Sequence, residues 1–377
     1  MGGPPVSRTG ATPPNVVDPP PAANPVKVSR GPATALVVVF LALLLGALGT
    51  LIHLPYAVMS PGPISNVLGT TTHSDGTTSD LIVVSGHESY PTTGTLDFTT
   101  VRINGGPGYP VNVWGVLGAW IDPRQDVYPV DVIFPPQSTA EQVQQENQAE
   151  MVDSQQEATA VALRAAGIPV TEKVSVAAVS PDAPSGTTFQ VGDVFVSIGG
   201  TEVTSAAAAR QAIQKATPGS TLDVVVLRGG AQVALKAKTG SSNGRTVLGV
   251  VLKIDFQFPF SVTIDAGNVG GPSAGLMFSL GIYDKLTSGS LTGGQNIAGT
   301  GTINSAGAVG PIGGIRQKLV GAKEGGANYF LAPSDNCEEV RDAVPDGLQA
   351  VKVATFDEAK AAVEKIAAGD TKGLPAC

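Results

Sequence analysis

An apolar run at Ala33–Leu54 constrains this chain more than any other feature. It reads ATALVVVFLALLLGALGTLIHL and contains no Asp, Glu, Lys or Arg. About twenty such residues form a helix that crosses the ~30 Å hydrocarbon core of a bilayer. The preceding residues include Arg8, Lys27 and Arg30 but a single acid, Asp18. Because basic flanks stay in the cytoplasm, we expect a membrane anchor with its N-terminus inside and the rest of the chain outside.

The rival interpretation of this run is a cleaved signal peptide. Its apolar core usually spans only about 7–15 residues, so we expect residues 33–54 to remain as a single transmembrane helix. Residues 1–32 are rich in proline and show no apolar periodicity. This pattern predicts a disordered cytoplasmic tail, with the remainder of the chain held at the outer face of the cell membrane.

Composition excludes several classes of function. The net charge is −8 and 14% of residues are charged, whereas nucleic-acid binding normally needs a basic face. The chain has 3 His, 2 Cys and no CxxC motif, so we expect neither a metal nor another cofactor. Cys337 and Cys377 could pair outside the cytoplasm. Because Cys377 lies in residues 369–377, which we expect to be a mobile tail, the unpaired state is favoured.

The middle of the chain contains a helix-rich part followed by a strand-rich part. Residues 80–104 hold two strand-like runs, and residues 141–166 lack Gly and Pro and are rich in Gln, Glu and Ala. The latter pattern predicts one or two helices. Residues 167–240 then predict a compact β-rich unit, with strands on both sides of a short helix at Ala206–Ala216.

The motifs of residues 167–240 resemble those of bacterial, protease-associated PDZ domains. They are Val-Gly-Asp-Val at 191–194, Gly199-Gly200, Pro218-Gly219 and Arg228-Gly229-Gly230. The resemblance implies that a peptide C-terminus adds to a strand edge while loop N–H groups hold its carboxylate. We place this loop at Gly167 and Ile168 and the strand at Val174 and Val176. A β-domain that serves only for packing is the alternative.

From Val247 the strand and helix patterns alternate. Val262–Val269 is a strand pattern, Ala274–Lys285 and Ile315–Glu324 are helix patterns, and the alternation continues to residue 368. The expected fold class is therefore mixed, α+β or α/β, with one transmembrane helix, a PDZ-like β-rich domain and an α/β domain at 247–368.

Ser273 is the candidate nucleophile in this α/β region. It lies in GGPSAG at the start of a helix pattern, and no His is near it in the sequence. A lysine can act as base only if burial lowers its pKa by several units from ~10.4. Lys318, in GPIGGIRQKLVGA, shares an apolar helix face with Ile315 and Ala322. From the residues alone, a helix-entry role for Ser273 and a surface position for Lys318 stay open.

GGPSAG together with TGTINSAGAVGPIGGIRQKLVGAKEGGANYFLAPSDNCEEV resembles the proteolytic domain of the Lon family. The resemblance implies that Ser273 is the nucleophile, Lys318 the general base and Thr300 the residue that positions the lysine. Thr300 could instead serve only strand packing. Backbone N–H groups near the serine, at Gly271 and Ser273, are expected to form the oxyanion hole.

Two positions depart from the family pattern. Arg316 stands where the family has a first lysine, and we expect it to be a surface charge. Gly270 stands where the family has an acid, which puts a gating role there in doubt. GTLDFTTV and MVDSQQEATAVALRAAG are weakly similar to the early strands and first helix of the same domain. Residues 59–166 would then be its early part, and the PDZ-like unit an insertion.

The combined pattern looks like the membrane-anchored PDZ–Lon-type proteases of bacteria. It implies a serine endopeptidase that acts on unfolded or flexible polypeptides or their C-terminal peptides, and a homo-oligomeric ring. No GxxxxGK[ST] phosphate loop occurs, so we expect an ATP-independent enzyme. The alternatives are a membrane-anchored PDZ scaffold that no longer cleaves, and a peptide-binding sensor that slowly cleaves itself.

Overall fold

The computed structural model describes residues 1–3, 30–72, 76–180 and 182–377, with side chains described from residue 34 in the first helix. The tail predicted at residues 1–32 therefore lies almost wholly outside the described residues. The chain divides into two compact units, Met1–Ile52 and His53–Cys377.

The described residues form nine α-helices and one short 3-10 helix. The α-helices are α1 Arg30–Leu51, α2 Val113–Ile121, α3 Val130–Ile133, α4 Ala140–Ala165, α5 Ala206–Gln214, α6 Gly275–Leu286, α7 Ile315–Glu324, α8 Cys337–Val340 and α9 Phe356–Ala367, and the 3-10 helix is Ser334–Asn336.

The strands of the described residues are β1 His53–Leu54, β2 Tyr56–Asn66, β3 Thr70–Thr72, β4 Thr78–Asp80, β5 Ile82–Ser85, β6 Thr95–Asn104, β7 Val111–Asn112, β8 Asp126–Pro129, β9 Thr171–Val179, β10 Val194–Ile198, β11 Thr201–Glu202, β12 Thr221–Arg228, β13 Ala231–Lys238, β14 Gly240–Ser242, β15 Arg245–Val247, β16 Val250–Gln257, β17 Ser261–Ile264, β18 Asn296–Gly299, β19 Thr302–Ile303, β20 Val309–Gly310, β21 Tyr329–Pro333 and β22 Gln349–Val353.

Helix α1 is the main element of the first unit. It has 22 residues, and its Thr34–Leu51 segment has a mean hydropathy of 2.5. By length and composition it can cross a membrane. Membrane anchors and signal sequences both contain segments of this kind. The helix begins and ends three residues earlier than the predicted 33–54.

The largest sheet of the second unit has the strand order β22-β21-β18-β6-β2-β8. Strands β22, β21, β18 and β6 are parallel neighbours, while β2 runs antiparallel to both β6 and β8. Half of the sheet precedes the predicted PDZ-like unit in the sequence and half follows it. A single sheet built from strands before and after the PDZ-like unit is the arrangement expected if that unit is an insertion.

Apolar side chains that alternate along the central strands pack into cores on both faces of this sheet. Ile297 and Leu331 lie in one core with α4, α6 and α9, and their neighbours Ala298 and Phe330 lie in a second core with α7 and α8. Successive side chains of a strand point to opposite faces, so the parallel part of the sheet is buried on both sides. The helices that carry the candidate site, α6 and α7, consequently lie on opposite faces.

Helix α4 is a single helix of 26 residues, where the sequence allowed one or two. Thr139 and Gln142 form a reciprocal capping box at its start, which satisfies two backbone donors of the first turn. The helix packs against α6 through its buried second half, which includes Met151 and Leu163. This contact supports the segment that carries Ser273.

The β-rich unit forms a separate sheet with the order β13-β12-β10-β9-β16, and β11 pairs with β10. Its core includes Val176, Phe195, Ile198 and the buried face of α5. Strand β16 pairs with β9 from Gln257↔Thr171 to Val250↔Val179. The unit therefore extends beyond the predicted boundary at residue 240, because the apolar run of β16 fits either domain.

The C-terminal segment is packed, which corrects the expectation of a mobile tail with an unpaired cysteine. Cys337 and Cys377 form a disulfide. Leu374 is buried in the core beside α9, and the Lys352 N–H donates a hydrogen bond to the Pro375 carbonyl. The apolar side chain and the backbone bond hold residues 369–377 against the domain.

Candidate active site

Ser273 lies at the entry to α6, in a turn held by the strand that ends beside it. Its carbonyl accepts hydrogen bonds from the Gly301 N–H at 2.9 Å and from Thr300 Oγ1 at 3.0 Å. Thr300 and Gly301 directly follow β18. The serine thus sits at the carboxyl end of a parallel strand, where open α/β sheets commonly bind ligands.

Glycines allow the surrounding elements to approach this turn. A Cβ on Gly275 would lie 2.7 Å from Ser154 Oγ and 2.8 Å from Ile303 Cγ2. Gly314, which precedes α7, has φ +69, and a Cβ there would lie 2.6 Å from Met59 Sδ. Because only glycine tolerates both the positive φ and the close approach, α7 can begin deep in the domain.

Lys318 is the fourth residue of α7, at the end of its first turn, and points into the interior. The residue is 2% exposed. Its Nζ lies 2.8 Å from Ser273 Oγ and 2.9 Å from Thr300 Oγ1. The structure therefore brings Ser273, Thr300 and Lys318 together and excludes the surface position for this lysine.

Burial lowers the pKa of Lys318 from 10.5 to about 7. Desolvation penalises the charged ammonium, and it is the only cause of the shift. Near pH 7 the Lys318 amine is consequently neutral in a large fraction of the molecules, and the neutral form can accept a proton.

The hydroxyl of Thr300 orients the lysine. Its hydrogen is donated to the Ser273 carbonyl, so the lone pairs of Thr300 Oγ1 are left to accept an N–H of Lys318. A neutral amine placed in this way has its own lone pair available for the Ser273 hydroxyl hydrogen. This is the arrangement that a lysine base needs.

The predicted oxyanion donors are only partly available. The Gly271 N–H donates to the Asn147 carbonyl on α4 at 2.8 Å, which corrects its assignment. Pro272 has no N–H. Among the described residues the Ser273 N–H has no hydrogen-bond acceptor, so it is the donor nearest the nucleophile that remains available.

The two departures from the expected motif lie outside the site. The Arg316 side chain is 57% exposed and lies 3.9 Å from Asp126. Gly270 packs against α4, where a Cβ would lie 2.7 Å from Asn147 Cβ. Neither residue contributes to the hydrogen bonds between Ser273, Thr300 and Lys318.

A cavity of about 960 Å³ adjoins the Ser273 turn at Pro272. We name it the Pro272 groove. Its walls are α4 from Glu150 to Glu157, β16 from Leu252 to Phe256, and the β19–β20 hairpin. Burial, followed by the charges of Asp153 and Glu172, raises the pKa of Glu157 to about 7.

The residues predicted to bind a peptide C-terminus do not form a binding edge. The N–H groups of Gly167 and Ile168 cap α4 by donating to the Arg164 and Leu163 carbonyls. Val174 and Val176 are 1% exposed and lie in the core of the β-rich unit. Strand β9 has β10 on one side and β16 on the other, so a peptide has no edge to join there.

The free edge belongs to β16, the last strand of this sheet. A cavity of about 800 Å³ lies between β16 and α5, and we name it the peptide groove. It is lined by Arg210, Ile213 and Gln214 of α5 and by residues 245–252, and a second side is formed by residues 180, 182–184 and 240–242. Leu248-Gly249 directly before a strand was the signal that sequence reasoning missed.

Gly249 shapes the loop that enters β16. Its φ is +74, and an added Cβ would lie 2.0 Å from Ala183 Cβ. Its carbonyl accepts the Ser180 N–H at 2.9 Å. These constraints hold the loop backbone in place at the end of the peptide groove.

No group of His, Cys, Asp and Glu side chains among the described residues is suited to hold a metal ion.

Two family models match the chain. Residues 255–367 match the Lon protease (S16) C-terminal proteolytic domain, and residues 143–239 match the PDZ domain. The chain is 33% identical over 105 residues to Lon protease 2 of Bacillus subtilis, which covers 28% of this chain and 18% of that protein. It is 32% identical over 143 residues to Lon protease of Clostridioides difficile, covering 34% and 18%.

The solved PDZ domain of the SdrC-like protein from Listeria monocytogenes is 22% identical, with a TM-score of 0.20, and the match covers 21% of this chain and 85% of that one. The chain spans less than a fifth of the length of the Lon proteases described above. The resemblance predicted from the motifs is confirmed: the chain carries a Lon-type proteolytic domain together with a PDZ domain.

Proposed function

We propose that this protein is an ATP-independent, membrane-anchored serine endopeptidase that uses a Ser273–Lys318 dyad. The observation that carries the proposal is the 2.8 Å contact between Lys318 Nζ and Ser273 Oγ, made by an amine whose pKa burial lowers to about 7. Nucleophile and base within hydrogen-bond reach, with a third group that orients the base, are the parts that covalent acyl transfer requires.

In the first half of the reaction, neutral Lys318 takes the proton of the Ser273 hydroxyl while Oγ attacks the substrate carbonyl carbon. We assign the Ser273 N–H as the donor to the oxygen that becomes negative. Lys318, now protonated, gives its proton to the leaving amine, and the peptide bond breaks. Thr300 keeps the ammonium in place between the two transfers.

In the second half, water replaces the amine. Lys318 takes a proton from the water as it attacks the acyl-enzyme carbonyl, and the proton returns to Ser273 Oγ when the ester bond breaks. The cycle restores the serine hydroxyl and the neutral lysine. It needs no group beyond the chain, the substrate and water.

Two features support an extracytoplasmic, anchored location. Helix α1 can cross a membrane by length and composition, and the Cys337–Cys377 disulfide is of the kind that persists outside the cytoplasm. Substrates would be unfolded or flexible polypeptides, because the sequence has no phosphate loop with which to drive unfolding. The PDZ domain would recognise them in the peptide groove.

The test is cleavage of an unstructured protein by the full chain in detergent. Ser273→Ala and Lys318→Ala should each abolish cleavage. Lys323→Ala on the same helix should not, because Lys323 Nζ donates to the Gly347 carbonyl on the domain surface. A serine-reactive probe should label Ser273 and lose this labelling in Lys318→Ala. Cleavage that survives in either dyad variant would contradict the mechanism. A wild-type chain that binds peptide but does not cleave it would favour the alternative of a PDZ scaffold without protease activity.

A further inference from the structure

Helix α2 presents an apolar face to solvent. Its 9 residues, VWGVLGAWI, include no charged residue. Val116 and Ala119 are buried and pack with residues of β2 and β8 in a small core. The opposite side of the helix carries four side chains that are between 39% and 83% exposed, and we name them the outward face: Trp114, Leu117, Trp120 and Ile121. Their spacing of three or four residues puts them on one side of the helix.

The chain enters the second unit beside this helix. Only Ile52 separates Leu51, the last residue of α1, from His53 in β1. The covalent chain therefore allows no more than about 7.6 Å between the Cα atoms of Leu51 and His53. His53 pairs with Asn112 of β7, and Asn112 caps α2 by accepting the Gly115 N–H at 2.9 Å. A bilayer that holds α1 is consequently within reach of α2.

The composition of the outward face fits the interfacial zone of a bilayer, where lipid headgroups meet the upper acyl chains. Tryptophan is enriched there because its ring is apolar and carries one N–H donor. Helices with one apolar face bury it about 5–10 Å deep in this zone. At about 1.5 Å per residue the 9 residues of α2 extend about 14 Å. The helix can therefore lie in the interfacial zone but cannot cross the ~30 Å hydrocarbon core.

A second copy of the chain fits the outward face less well. A stable protein–protein interface buries about 800 Å² of each partner. A large aromatic side chain presents at most about 250 Å², so four side chains that are 39% to 83% exposed fall short of that area. The area suits insertion into lipid, which needs no matching protein surface.

Building on the proposed membrane anchorage, we propose that the outward face of α2 inserts into the interfacial zone of the bilayer that holds α1. The partner is the lipid surface, through its headgroups and upper acyl chains. The chain is then attached at two points, the transmembrane helix and α2. Because α2 packs on β2 and β8, the β8 edge of the large sheet is turned toward the membrane. A single attachment would leave the second unit free to rotate about Ile52.

Intrinsic fluorescence tests this proposal, because Trp114 and Trp120 are the 2 tryptophans of the chain. The full chain is reconstituted into phosphatidylcholine liposomes without bromine, or with bromine near the headgroup end or near the methyl end of the acyl chains. Bromine near the headgroup end should quench most of the emission and bromine near the methyl end much less, because the face inserts only about 5–10 Å. Iodide in the water should quench little.

Liposome flotation separates this proposal from the anchorage on which it rests. A chain that floats, but whose emission iodide quenches and bromine does not, would overturn the insertion of α2 and leave the anchorage intact. Emission protected from both quenchers, increasingly so at a higher ratio of protein to lipid, would assign the outward face to a second copy instead. A chain that does not float would overturn the anchorage, and this proposal with it.

Charges on the outward face locate the effect. Leu117→Glu combined with Ile121→Glu keeps both tryptophans and should abolish quenching by bromine, because carboxylates resist transfer out of water, while α1 still carries the chain into liposomes. Gly118→Glu is a milder variant, since an added Cβ there meets no atom within 4 Å. Val191→Glu is the matched control, at a 70% exposed position before β10. An unchanged Tm shows that a variant is folded, and equal quenching in all four proteins would contradict the insertion of α2.

Discussion

The proposed catalytic site depends on buried side chains, whereas the peptide groove depends on an exposed backbone edge. At the proposed catalytic site the candidate groups are side chains, and Lys318 is suited to the role of a base because it is 2% exposed. In the peptide groove the central element is the unpaired backbone edge of β16, whose outward side chain Val251 is 59% exposed. One site depends on excluding water, and the other on leaving a strand edge open to it.

This difference predicts how changes at each site will appear in kinetics. Loss of a group that exchanges a proton with Ser273 weakens transition-state stabilisation and lowers kcat. A change at the strand edge alters how the substrate is held before the reaction and raises KM. Three substitutions and the pH dependence test this difference between effects on kcat and effects on KM.

The largest effect is expected from Lys318→Arg. Arginine keeps the positive charge, but its pKa above ~12 prevents it from accepting the Ser273 proton. We expect kcat to fall by about a thousandfold or more, the upper range for loss of a general base. Lys323→Arg on the same helix is the control. Substantial activity in Lys318→Arg, measured on an unstructured protein, would show that Lys318 is not the base.

The pH dependence of the wild-type enzyme should show the same requirement. The active form carries a neutral Lys318 with a pKa of about 7, so kcat/KM should rise about tenfold per pH unit below that value and level off above it. Glu157, with a pKa also raised to about 7, titrates in the same window. Glu157→Gln should retain the rise, and a flat profile in that variant would assign the titration to the glutamate instead.

The contact between Ser273 and Lys318 was predictable because the sequence signals for it are local. Ser273 and Lys318 lie in short glycine-rich motifs at the starts of helices α6 and α7, and each helix could be read from its own apolar pattern. Because no His lies near Ser273 in the sequence, the expected base was a lysine that burial could keep neutral. What the motifs did not contain was the contact with Asn147, a helix residue far away in the sequence, which occupies the Gly271 N–H.

The peptide groove was not predictable in the same way, because strand pairing is non-local. Both Val174–Val179 and Val250–Leu252 are Val-rich runs, and neither sequence indicates the strand with which it will pair. Their pairing leaves β16 rather than β9 at the edge.

The C-terminus presented the same difficulty, since Cys377 meets Cys337 across a sequence separation of 40. Composition alone made that segment look like a tail.

A smaller effect on kcat is expected from Thr300→Val, which keeps the shape of the side chain. It removes the hydroxyl that accepts from Lys318 at 2.9 Å and donates to the Ser273 carbonyl. We expect kcat to fall about ten- to a hundredfold, the cost of one buried hydrogen bond to a charged partner. Thr300→Ser should restore most of it. Thr263→Val, at an exposed position of β17, is the control, and an equal loss in both valine variants would indicate a purely structural role.

The smallest effect is expected in the PDZ domain and should appear in KM. Gly249→Ala combines a φ of +74 with a Cβ that would lie 2.0 Å from Ala183 Cβ, so the loop before β16 must shift and KM should rise several-fold. Gly229→Ala is the matched control, because Gly229 has φ +59 and no atom within 4 Å of an added Cβ. Both variants carry the cost of a left-handed alanine, about 1–2 kcal/mol, and should lower Tm. Only the alanine at 249 distorts the groove, so equal KM values for the two variants would mean that backbone strain, and not the shape of the β16 edge, governs substrate binding.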